Sequence, residues 1–204
     1  MPRPPSQGPS SHDGDHKGLP VLPFDSVESW DEWLAENGTS TPGIWLKFAK
    51  KASGLASVAK SDAVARALAH GWVDGQLDKW DENFWLVRFT PRGPRSKWSE
   101  VNRNTAERLI AAGDMTAAGL AQVEAARADG RWDAAYPPQS TAQVPPDLQA
   151  ALDAEPAAKA FFATLTGAKR YSILYRIHDA KQAKTRAARI EKFVAMLARG
   201  ETIG

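Results

Sequence analysis

The run Phe84-Trp85-Leu86-Val87-Arg88-Phe89-Thr90 is apolar on both of its alternating faces, Arg88 and Thr90 apart. A strand of that kind cannot leave one face in water, so it belongs inside a sheet with cover on both sides. The segments around it supply the sheet. Trp72-Val73-Asp74-Gly75-Gln76-Leu77 precedes it across a polar bend, Asp78 to Asn83, which predicts an antiparallel hairpin. Ile44-Trp45-Leu46-Lys47-Phe48 follows Pro42-Gly43 and alternates like a third strand. Pro91 and Pro94 stop the central run, because proline cannot donate to a ladder.

Elsewhere the apolar spacing is helical. Asp25 and Ser26 offer caps, Asp25 with Glu28 at capping-box spacing, before Trp30, Trp33 and Leu34 on one face, and Asn37-Gly38 ends that helix. Ser61 or Asp62 opens a second helix carrying Val64, Ala67 and Leu68, closed at Gly71. Ser96 or Ser99 caps a third, through about Ala112, with Val101, Leu109 and Ile110 inward, and a short helix runs from Thr116 to Ala128. After the prolines at 137–138 and 145–146 come four helical stretches, 147–153, 156–165, 168–180 and 184–199. The expected fold is α+β: a small antiparallel sheet of three or more strands flanked by helices, followed by a helical C-terminal part. Residues 1–18 hold no large apolar side chain and are expected to stay without fixed structure. The α+β core is expected over 19–136, a Pro-rich linker over 137–146 and the helical region over 147–204.

Composition removes several function classes. Cysteine is absent, so disulfides, thiolate zinc sites, Fe–S clusters and thiol nucleophiles are excluded together. The opening MPRPPSQGPSSHDGDHKG has no apolar run resembling a secretory signal, and no stretch approaches a membrane span. The expected location is therefore cytoplasmic, with no transmembrane segment. His12 and His16 could share a metal only on a helix, so neither a metal nor a cofactor is expected. The net charge of +2 hides an uneven distribution. Residues 86–108 carry six basic and two acidic side chains, hence +4, and residues 169–199 carry nine against two, hence +7. Two such segments can attract an anionic partner, but the modest total does not favour a dedicated nucleic-acid binder.

From roughly residue 26 to residue 200 the chain is recognisable. Ala67-Leu68-Ala69-His70-Gly71-Trp72-Val73-Asp74-Gly75-Gln76, then Arg88-Phe89-Thr90-Pro91-Arg92 and Ser96-Lys97-Trp98-Ser99 with Asn102, resembles the YdeI/OmpD-associated bacterial family. The likeness continues through Arg108-Leu109-Ile110, Gly113-Asp114-Met115, Ala118-Gly119-Leu120, Gly130 and Trp132 to Thr185-Arg186 and Arg189-Ile190. His70 departs from the family pattern. The resemblance implies a role in bacteriocin protection or tolerance of antimicrobial peptides, and it implies no catalytic residues and no cofactor.

Four constellations can be weighed from the residues. Asp74 across a hairpin from Arg88 would be an ion pair able to orient a polar ligand, or to stitch two strands. Arg92, Arg95, Ser96, Trp98 and Ser99, with Asn102 beyond, put guanidinium groups and hydroxyls at a helix start, which suits a phosphate or carboxylate. Seven of the eight tryptophans fall between Trp30 and Trp98, where they form core or stack on bases. The last helix sets Ile190, Phe193, Val194 and Leu197 against Arg186, Arg189, Lys192 and Arg199, an amphipathic basic surface. No GxSxG, HExxH, P-loop or dinucleotide fingerprint is present, and neither His70 nor His178 sits in a nucleophile–base pattern.

The leading expectation is a non-enzymatic stress or bacteriocin-tolerance protein that binds an anionic small molecule or protein through the Arg92–Ser99 loop. Two rivals stand beside it. One is a nucleic-acid-binding module using the Trp/Arg surface and the basic last helix. The other is an enzyme with a site near Asp74 and His70.

Overall fold

In the computed structural model, which describes residues 13–203, Phe84–Pro91 (β5) lies inside a five-stranded sheet. The order is β1-β2-β3-β5-β4, with β1 at Asp15–His16, β2 at Leu19–Pro23, β3 at Ile44–Ala49 and β4 at Trp72–Lys79. Both neighbours of β5 run antiparallel to it. The sheet is nonetheless mixed, because β2 pairs with β3 in parallel. The helix Val27–Asn37 (α1) connects those two strands, the crossover that a parallel pair requires.

Each face of β5 is covered, by different means. Val87 and Phe89 join Phe24, Trp30, Leu34, Ile44, Leu46 and Phe48 in a core roofed by α1 and by Lys60–Ala69 (α2), which contributes Ala63 and Ala67. Leu86 faces the other way and packs with Val21 and Trp45, against Leu19 and Trp80. Residues 13–18 close over that second patch. The His16 ring meets Trp45 edge-on with centroids 4.9 Å apart, and its Nε2 lies 3.0 Å from Asp78 Oδ2. Lys17 also binds Asp78, and Lys47 pairs with Asp13 at 2.7 Å. Residues 13–18, within the tail expected to lack fixed structure, are held by these ion pairs and by the His16 ring against Trp45 and Trp80. Residues 1–12, with His12, lie outside the described residues.

The chain divides into two compact units, Met1–Trp98 with Asn102–Asp133, and Ser99–Val101 with Ala134–Gly204. In the first unit α1 is capped by Ser26, whose side chain accepts from Ser29 N, so the capping residue is Ser26 and not Asp25. The helix Glu100–Ala112 (α3) begins at the unit boundary, and its Val101, expected inward, is 52% exposed. Ala117–Ala128 (α4) is capped by Thr116, which also donates to Ala69 O at 2.8 Å. Gly119 of α4 lies so close to the end of α2 that a Cβ there would sit 2.1 Å from Ala69 O.

The second unit holds four helices among its described residues: Pro146–Asp153 (α5), Pro156–Thr164 (α6), Gly167–His178 (α7) and Ala183–Ala198 (α8). Proline opens α5 and α6, where its missing N–H costs nothing. Leu148, Leu152, Phe162, Ile173, Ile177, Phe193 and Leu197 form the core. Residues 137–146, expected as a linker, belong to this unit, with Ala142 and Val144 packed on that core.

Candidate functional site

The residues selected from sequence occupy three unlike environments. Asp74 stands opposite Phe89 and so shares the helix-covered face, where Lys60 Nζ is 3.9 Å away. Arg88 stands opposite Trp45 on the other face and is exposed. The expected Asp74–Arg88 pair therefore does not form. A register shift between Asp74 and Leu77 separates them, and one residue of slip in a period of two sends a side chain to the opposite face.

Arg92 is 5% exposed. Its guanidinium carbon lies 3.9 Å from the centroid of the Trp98 ring, and Nη1 donates to Lys97 O at 3.1 Å. Trp98 is itself buried, edge-on to Trp132 at 4.9 Å. Ser96 Oγ accepts from Gly93 N at 3.0 Å, and Ser96 O accepts from Arg131 Nη1 at 3.0 Å. These groups knit the loop to itself and to the end of the first unit. Arg95 is exposed, Asn102 is half-buried in α3, and Ser99 forms an isolated parallel bridge with Tyr136 in the second unit. Arg88, Arg92 and Arg95 thus stand in unlike surroundings, the first exposed on the sheet, the second buried and the third exposed in the loop.

The histidine rival also changes shape. His70 Nε2 lies 2.9 Å from Asp31 Oδ1, a pairing across 39 residues that sequence reading could not supply. Asp31 borders an open cleft with Val27, Glu28, Asp62, Ala65 and Arg66, a lining of carboxylates and one guanidinium with no hydroxyl. Asp74 pairs with Lys60, so His70 and Asp74 have different charged partners.

The second unit contains an arrangement that sequence reasoning missed. The chain has three tyrosines, and all of them line one cavity of about 70 Å³. Helix α7 presents Tyr171, Leu174, Tyr175 and His178 at i, i+3, i+4 and i+7, one face of a helix. Tyr136 closes the opposite wall. It is held by the bridge to Ser99 and by Glu100 N, which donates to its carbonyl at 2.9 Å. Tyr136 and Tyr175 meet edge to face at 4.9 Å, and Tyr171 lies 6.2 Å from Tyr175. Tyr171 donates its hydroxyl to Pro137 O at 2.9 Å. Burial, then the neighbouring Tyr136, Tyr175 and Glu100, push the Tyr171 phenol up from its ordinary value.

Arg186 of α8 also lines the cavity, with its charge already matched. Nε and Nη2 grip Asp147 at 2.6 and 2.8 Å, while Nη1 donates to Ile177 O at 3.0 Å. The guanidinium holds the Asp147 carboxyl below the usual aspartate range. Arg186 borders a second depression as well, a groove of about 720 Å³ floored by Ala151, Ala187, Ile190 and Val194, with Glu155 and Glu191 at its edge. A small aromatic pocket and a longer apolar groove thus meet at one ion pair. The sequence signal that was available is modest: the chain's three tyrosines, two of them four residues apart on the stripe that carries Leu174 and His178.

Comparison with known families places both parts of the chain. Residues 22–122 match a domain of unknown function, DUF8412. Residues 141–200, within the second unit, match the family described as bacteriocin-protection, YdeI or OmpD-associated. The resemblance drawn from residues 67–132 and 185–190 thus extends over both matches, and the named family's match covers α5 to α8. No curated protein and no solved structure matches the chain. No helix among the described residues is long and apolar enough to cross a membrane.

Proposed function

We propose that this chain, whose residues 141–200 match the bacteriocin-protection, YdeI or OmpD-associated family, is a tolerance protein that acts by binding, with its ligand seated at the tyrosine cavity and the α5/α8 groove that share Arg186. One observation carries this reading: Arg186 borders both depressions while every edge of its guanidinium is engaged by protein acceptors. A guanidinium fixed in that way shapes a site and does no chemistry in it. The aromatic walls and apolar floor suit binding through buried area with a few oriented polar contacts.

The reading is tested by survival. Bacteria sensitive to a bacteriocin, expressing the full chain, should survive challenge better than cells with an empty vector. Tyr175→Leu and Val194→Glu should each remove that advantage at equal protein level, and protection that persists in both variants contradicts the assignment.

The anion reading of the Arg92–Ser99 loop narrows to the exposed Arg95, since Arg92 is committed to Trp98 and Lys97. Inorganic phosphate should then raise the melting temperature of the wild type and not of Arg95→Glu. An equal shift in both ends that reading.

A further inference from the structure

Three places in the molecule could carry more than the fold requires. The His70–Asp31 pair sits beside an open cleft without a hydroxyl to activate. The His16 clasp over Trp45 closes a core patch. The joined cavity and groove of the second unit say the most, because their lining specifies a ligand class.

We infer that the joined site takes a cationic, apolar peptide, with a lysine or arginine head against the three tyrosines and apolar side chains along the α5/α8 groove. This rests on the binding reading above and adds the charge of the ligand. Aromatic rings attract a cation through their quadrupoles, most strongly when water is displaced. A pocket walled by Tyr136, Tyr171 and Tyr175, with the Tyr175 ring 4.9 Å from Tyr136 and 6.2 Å from Tyr171, offers that attraction. Its volume of about 70 Å³ suits the end of one side chain and no more.

The groove agrees in sign. Its charged lining is Asp147, Glu155 and Glu191 against Arg186, three acids and one base, net −2. That local sign opposes the surrounding field, since residues 169–199 carry nine basic and two acidic side chains. Lys184 and Lys192 on α8, and Arg199 just past its end, are exposed but do not line the groove. An acidic ligand would therefore be drawn to the outer face of α8, while a basic one gains only by entering the groove. Ala151, Ala154, Ala183, Ala187 and Ala195 keep the floor shallow, which lets a bound backbone approach closely.

The test is calorimetric titration of the full chain with three amidated peptides of equal length: alternating Lys/Leu, the same peptide with every lysine acetylated, and Glu/Leu. The Lys/Leu peptide should bind about tenfold or more tighter than either control. Tyr175→Leu should weaken it by about tenfold, while Tyr175→Phe, which keeps the ring, should bind within about twofold of wild type. Glu191→Lys should weaken it without changing the fold, read by circular dichroism. Tetramethylammonium chloride, used alone, should compete weakly, which separates the cage from the groove. If the Glu/Leu or acetylated peptide binds as tightly and Tyr175→Leu still weakens it, the cationic assignment is wrong and the site stands. If no peptide binds, or Tyr175→Leu binds all three unchanged, the site falls too.

Discussion

Arg92 lies over the Trp98 ring with its guanidinium carbon 3.9 Å from the ring centroid, inside a loop whose sequence advertises an anion site. The contact makes a cation that looks available part of the packing, because the 5% exposed guanidinium lies over the indole and donates through Nη1 to Lys97 O. Arg92→Ala should destabilise the first unit by about 2 kcal/mol, the sum expected for a desolvated cation–π contact and a charged hydrogen bond. Arg92→Lys, which keeps charge but loses the planar stack, should recover less than half of that. Urea unfolding followed by tryptophan fluorescence reads both, since all eight tryptophans lie in this unit.

The Asp147–Arg186 pair ties α5 to α8, and its acid response has a definite sign. Arg186 holds the Asp147 carboxyl below the ordinary 3.8. A carboxylate lowered in the folded state adds stability above its ordinary value and loses it as pH falls through the lowered one. Both side chains are partly exposed, so the increment should be only about 0.5 kcal/mol. Wild type should lose that increment below about pH 4. Asp147→Asn should lack it at every pH, with near-ultraviolet tyrosine dichroism reporting the second unit.

Gly119 marks the closest approach between α4 and α2. A Cβ there would meet Ala69 O at 2.1 Å and Met115 Cε at 2.8 Å, and the first of these is backbone that cannot step aside. Gly119→Ala should therefore cost about 2–3 kcal/mol despite alanine's better helix propensity. Thermal unfolding checks it; a neutral or stabilising result would mean the helices separate freely.

His16 covers the second face of the sheet. Its ring lies 4.9 Å from Trp45 and 5.9 Å from Trp80, and it binds Asp78. Asp78 is held well below the usual carboxylate range by Lys17 first and His16 second. His16→Ala should wet Trp45, shift tryptophan emission to longer wavelength and lower stability by about 1 kcal/mol. His16→Phe should restore most of the emission, because the ring contact survives without the hydrogen bond.

Much of the architecture was legible because periodicity is local. Phe84–Thr90 announced a strand covered on both sides, and the 3.6-residue stripes of α1, α2 and α8 stand where their spacing put them. What escaped was non-local or disguised. Pro20 and Pro23 hid β2, and a two-residue β1 has no period to read. The bulge after Asp74 shifted a register that two strands alone could not reveal. The candidate site was missed for a related reason. Arginine and tryptophan draw the eye by charge and size, yet Arg92, Trp98 and the core tryptophans serve the first unit's packing. The tyrosine cavity needs Tyr136, Pro145, Tyr175 and Arg186 from four separate segments, and only folding brings them together.

The binding claim meets its most direct test in fluorine NMR of the full chain labelled with 3-fluorotyrosine, since every label then sits in the one cavity. On titration with the Lys/Leu peptide, the resonances of Tyr136, Tyr171 and Tyr175 should move together along a single isotherm. Three stationary tyrosine signals, with the tryptophan fluorescence of the first unit changing in their place, would contradict it.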